Sequence, residues 1–154
     1  MNSVVDNASG GGPLTRYLIV ANQTLCGDLL LERVRQLLAE GPCSLHVVVP
    51  ATPIRDQASY TEGAAHAVAE KRLEAALERF RALGVEVDGE VGDSSPMLAV
   101  RDCLMTGRYA GVILSTLQPG ASRWLKQDLP HRLERTFGVP VMQITGEYEP
   151  VTVG

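Results

Sequence analysis

Few side chains in this sequence have types suited to covalent or metal chemistry. The cysteines are Cys26, Cys43 and Cys103, and the histidines are His46, His66 and His131. Three cysteines at wide intervals match neither a zinc pattern nor a disulfide framework. Asp128 and His131 lie three apart, which puts them on one face of a helix. A metal site needs more ligands than that pair, so none is expected. Cys26 falls near a helix start, where a thiol is easily activated, but no base accompanies it. Cys103 lies on an apolar helical stripe and Cys43 begins a strand, and both read as packing residues. His46 opens an apolar strand and reads as a hydrogen-bonded core or rim residue. No acid–base or nucleophile pair converges, so a binding module is favoured over an enzyme, with no catalytic residue assigned.

The elements that position these residues follow from two alternating periods. Residues 16–22 (RYLIVAN) and 44–49 (SLHVVV) are short, mostly apolar runs, expected as strands buried on both faces. Leu30, Val34, Leu37 and Leu38 recur at helical spacing, and Gly41 ends that helix. The longest helix is expected over 64–83, with an inner stripe of Ala69, Leu73, Ala76, Leu77 and Phe80. Its outer face carries Glu70, Lys71, Glu74, Glu78 and Arg81, and Gly84 closes it. In 85–91 the valines alternate with Glu86, Asp88 and Glu90, which marks a half-exposed edge strand. Ser95 before Pro96 is an N-cap signal. Residues 111–114 (GVIL) are fully apolar and expected to be central. Pro140 marks 139–144 as a second edge, because proline cannot donate to a ladder.

Five strands and four helices in alternation predict an α/β fold. Right-handed crossovers and the two edge signals select one parallel sheet, order 3-2-1-4-5, with helices on both faces. The winding direction reverses between the first and fourth strands. Ligand crevices in such sheets open at the carboxyl ends beside that switch point. Those ends are Ala21–Thr24 and Ser115–Gln118, with the loop from Ala51 to Tyr60 as a third wall.

The strand and helix order, Gly92–Asp93 after the third strand and Val139–Pro140–Val141 at the last resemble the universal stress protein family. The resemblance covers residues 16 to 144. It implies a Rossmann-like five-stranded domain, commonly dimeric through the last strand, and in many members a site for ATP or related adenine nucleotides. It also implies a stress or regulatory role. The crevice positions matching the family's nucleotide site are Asn22, Gln23, Val49, Ser115, Thr116, Gln118, Gln127 and Asp128. Nucleotide-binding members carry glycine, two residues, glycine, nine residues, then glycine and serine or threonine. Those glycines let backbone amides approach phosphates. Here Leu114 or Ser115, then Leu117 or Gln118, then Gln127–Asp128 stand in those places, and Gly120 lies at the wrong spacing. Asn22 or Gln23 replaces the acidic ribose contact. Asp128 before Leu129–Pro130 is expected to cap a helix with its own carboxylate, where a phosphate would otherwise sit. No bound cofactor is therefore expected; the alternative is ATP or AMP on an altered phosphate loop, and an enzyme of a small metabolite ranks below both. Trp124 is expected to anchor its loop or cover the crevice.

Receiver, pyrophosphatase-loop and flavodoxin readings fail on the turn after the first strand, which lacks their acids, glycines and hydroxyls. A net charge of −4 and pI near 5.3 disfavour nucleic acid. No apolar run approaches the ~20 residues of a transmembrane helix. The opening MNSVVDNASGGG lacks a signal-peptide pattern, and an odd number of widely spaced cysteines fits a cytoplasmic setting. Residues 1–14 are expected as a flexible arm, 15–146 as the domain and 147–154 as a tail. Val139, Val141, Met142 and Ile144 form an apolar, undefended edge, expected to make a homodimer. An unknown protein is a further expected partner.

Overall fold

A computed structural model describes residues 14–51, 62–117 and 122–146. The arm (1–13), the loop at 52–61, Gln118 to Ala121 and the tail (147–154) lie outside the described residues. The elements run β1 (Thr15–Val20), α1 (Asp28–Glu40), β2 (Cys43–Pro50), α2 (Glu62–Ala82), β3 (Glu86–Gly92), α3 (Pro96–Thr106), β4 (Gly111–Leu117), α4 (Arg123–Lys126), α5 (Leu129–Phe137) and β5 (Val141–Gly146). The strands form one parallel sheet in the order β3-β2-β1-β4-β5. This is the predicted order, with the charged strand and the last strand at the edges.

Alternation along the inner strands sorts their side chains into two cores. Ile19, Leu45, Val47, Val49 and Ile113 face α1 and α2, where Leu30, Val34, Ala69, Leu73 and Phe80 meet them. Leu18, Val20, Val48, Val112 and Leu114 face the other way, onto Val100 and Cys103 of α3 and Leu129 and Leu133 of α5. Helices thus cover both faces, which is why β1 and β4 need apolar residues at consecutive positions.

Three local expectations change. The connection from β4 to β5 holds two helices, not one, because the four-residue α4 precedes α5. β4 continues through Ser115, Thr116 and Leu117, so two expected loop hydroxyls belong to the strand. β5 starts after Pro140, whose carbonyl accepts from the Val112 amide at 2.8 Å. The proline therefore leads into the edge strand and removes no ladder bond within it.

The α3 start forms as expected. Ser95 Oγ accepts from the Leu98 amide at 3.4 Å, and Asp93 Oδ1 accepts from the Ser95 amide at 2.8 Å. Gly92 lets this helix sit close, since a Cβ there would meet Val48 Cγ2 at 2.8 Å and Ala99 Cβ at 2.9 Å.

Candidate functional site

At the switch point the chain leaves β1 through Ala21 and Asn22, next to the carboxyl ends of β2 and β4. Asn22 is buried, and its Nδ2 donates to the Pro50 carbonyl at 2.7 Å. Its Oδ1 accepts from Nη1 of Arg72, a guanidinium on α2 that is itself buried. Two residues on, Thr24 Oγ1 and Ser115 Oγ share a hydrogen bond of 2.6 Å, which ties the β1 turn to β4. Thr116, also buried, donates from Oγ1 to the Leu117 carbonyl at 2.9 Å. Below the turn, Arg79 of α2 donates to the Cys26 carbonyl and to Asp28 Oδ1 at 3.2 Å. The buried polar side chains at the carboxyl ends of these strands are thus each bonded within the protein.

The expected site residues separate into three groups. Asn22, Ser115 and Thr116 come together at the switch point, all buried. Val49 lies wholly inside the α1/α2 core and presents no side-chain surface to a ligand. Gln23, Gln127 and Asp128 are exposed. Gln118 lies outside the described residues.

Asp128 corrects the capping expectation. It occupies the N-cap position of α5 but makes no side-chain cap bond. Its backbone is left-handed, φ 58° and ψ 39°, the one positive-φ non-glycine among the described residues. In that conformation the carboxylate turns away from the helix amides, and Oδ1 pairs instead with His131 Nδ1 at 2.8 Å. The helix start is held by backbone, with the Arg132 amide donating to the Asp128 carbonyl at 3.0 Å. Trp124 packs against the α3/α5 core, as a loop anchor does.

Sequence reasoning missed Arg72 and Arg79, and it placed Thr24 in the crevice wall without its bond to Ser115. Arg72 had a legible signal. It falls on the stripe Ala65, Ala69, Arg72, Ala76, a cation at a core position flanked by alanines that leave it room.

A second polar group lies under α3, in the body of the sheet. His46 Nδ1 meets Asp88 Oδ1 at 2.8 Å, and Nε2 meets Glu90 Oε2 at 2.9 Å. Arg16 lies 3.8 Å from Asp88 and 4.9 Å above the Tyr109 ring. The Cys103 thiol points to Glu90 Oε2 at 3.7 Å. Burial, then the Glu90 charge, pushes that thiol up to about 12. Burial also pushes up Cys43 and the Tyr109 phenol. The charged alternation of β3 marks a half-exposed edge strand, and two of its carboxylates close on a histidine of the neighbouring strand.

No family model matches the sequence, and no curated protein matches it. Solved structures do. A protein from the universal stress protein family of Burkholderia pseudomallei superposes with a TM-score of 0.62 at 14% identity, covering 86% of this chain and 96% of that one. Universal stress protein from Archaeoglobus fulgidus gives 0.55 at 13% identity, over 90% and 99%. A universal stress protein crystallised in complex with cAMP gives 0.55 at 14%, over 84% and 96%. The chain therefore has the universal-stress-protein fold. No helix among the described residues is long and apolar enough to cross a membrane.

Proposed function

We propose that the chain is a non-catalytic binding and interaction module whose switch-point crevice is closed by its own side chains. The observation that carries this is the joined set Asn22–Arg72 and Thr24–Ser115, with Asn22 also on the Pro50 carbonyl. Polar atoms that a nucleotide would recruit already have protein partners, and opening them would cost buried hydrogen bonds, each worth about 1 kcal/mol net. A polyphosphate fits poorly. The phosphate-loop glycines are absent, and Val49 is sealed in the core. Among the described residues of the crevice, no nucleophile is paired with a base. A stress or regulatory role, in which another protein is the partner, is the reading that the fold likeness favours.

A second reading is an adenine-nucleotide binder with an altered phosphate loop. Two observations favour it: Arg72 places a buried cation beneath the crevice, and one structural neighbour was crystallised with cAMP. A single phosphate asks less of a glycine loop than a triphosphate. Mass spectrometry of small molecules released from purified, heat-denatured protein separates the two. We expect no stoichiometric nucleotide; one adenine nucleotide per chain would replace the first reading with the second.

The module's own second copy is the remaining proposed partner. β5 is an edge strand, and its Val141 amide points away from β4, toward Glu134 Oε2 at 3.3 Å. By strand alternation, the Gln143 and Thr145 amides point outward too, as a two-fold strand pairing requires.

A further inference from the structure

The polar group under α3 has the make-up of a metal site. Its donors are a histidine nitrogen, a carboxylate and a thiol, contributed by His46 of β2, Glu90 of β3 and Cys103 of α3. The three ligand atoms all lie within 4.8 Å of one another. Parallel pairing sets Asp88 opposite His46 and Glu90 opposite Val48, so one carboxylate flanks each side of the ring. We propose that His46, Glu90 and Cys103 bind a divalent transition ion of the zinc class, with Asp88 as the group that orients the histidine.

Four observations support this. First, the donor set suits zinc, which takes cysteine sulfur, histidine nitrogen and carboxylate oxygen together. Second, the spacing is close to what the ion needs. Ligand atoms bound to a tetrahedral zinc stand roughly 3.3–3.8 Å apart. Cys103 Sγ and Glu90 Oε2 are 3.7 Å apart, and His46 Nε2 and Glu90 Oε2 must part only slightly from 2.9 Å. Third, Asp88 Oδ1 lies 2.8 Å from Nδ1. A carboxylate there fixes the tautomer that leaves Nε2 free to ligate, the usual outer partner of a metal-bound histidine. Fourth, the donor count is incomplete without a cation or a proton. A neutral ring that donates from Nδ1 to Asp88 turns the Nε2 lone pair toward the Glu90 carboxylate, acceptor against acceptor.

The position also allows entry. Cys103 is buried at the floor, His46 is 12% exposed, and Glu90 is 55% exposed at the mouth. Arg16, the cation beside Asp88, is also held over the Tyr109 ring. On binding, the thiol S–H bond breaks, sulfur bonds the metal, and the proton goes to solvent. Three protein ligands leave the fourth position for water or a partner's side chain.

The test is titration of the full chain with Co(II) alone, followed by Zn(II) displacement. We expect saturation at one ion per chain and an ultraviolet thiolate-to-cobalt charge-transfer band that Zn(II) abolishes. Cys103→Ser should remove the band while Cys26 and Cys43 remain. Glu90→Gln, at a carboxylate 55% exposed, should weaken binding at least ~10-fold, and Asp88→Asn ~10–100-fold. If Cys103→Ser fails to fold, Glu90→Gln decides. Absence of saturable binding would overturn the proposal. A band that survives Cys103→Ser, or affinity unchanged in Glu90→Gln, would equally overturn it and move the ion to another thiol.

Discussion

The left-handed backbone at Asp128 sets what that residue can tolerate. A side-chain cap would accept serine in its place, because serine and aspartate cap about equally. A positive φ would not, because a Cβ in that region costs about 1 kcal/mol unless the residue is glycine, asparagine or aspartate. We therefore expect Asp128→Ser to lower stability by about 1 kcal/mol and Asp128→Gly to leave it unchanged or raise it. Urea midpoints check this; an unchanged serine variant would restore the capping account. The thiols make a second residue-scale case. Cys43 and Cys103 are buried and raised, Cys103 to about 12, so both stay protonated at neutral pH. Cys26 is only half-buried. Timed alkylation near pH 7.5, read by peptide mass spectrometry, should label Cys26 first; Cys103 labelled ahead of Cys26 would contradict this. Single residues were only partly legible beforehand. Asp128 was located at the start of α5, but its φ depends on how α4 runs into α5, and no residue spacing encodes that.

Elements were more legible, because each carries a period of its own. The strands and long helices fall within a few residues of where hydrophobic spacing puts them. The misses have physical causes. Ser115 and Thr116 are hydroxyls inside a buried strand and read as loop, because their partners, Thr24 and a backbone carbonyl, are not visible in the local pattern. α4 is too short to show a period. Two variants test element packing. A Cβ at Gly89 of β3 would lie 2.7 Å from the Val47 carbonyl oxygen and 2.7 Å from Leu73 Cδ1. The strand's backbone cannot yield as a side chain can, so Gly89→Ala should cost about 1–3 kcal/mol in a denaturant melt; a neutral result would mean that α2 shifts freely on the sheet. At the opposite edge, Gln143→Pro removes an outward-facing donor of β5 without touching its bonds to β4. Light scattering after gel filtration should give a dimer for the parent and for Glu86→Lys, and a monomer for Gln143→Pro. A parent mass near 16.6 kDa well above micromolar concentration would reject the dimer.

At the scale of the whole molecule, the strand order followed from strand polarity, the edge proline and crossover handedness. Only two strands have a reason to lie at edges, and right-handed crossovers leave one arrangement for the rest. The location of the crevice followed from that order. Its contents did not, because the groups that fill it are far apart in sequence: Asn22 with Arg72, Thr24 with Ser115, and, under α3, His46 with Glu90 and Cys103. Such groups are brought together only by the completed sheet and its helices. The proposal with most at stake is a switch-point crevice closed by its own side chains. Calorimetric titration of the purified chain with Mg-ATP tests it most directly. The account predicts no saturable heat up to high micromolar nucleotide; one site per chain with a low-micromolar Kd would contradict it.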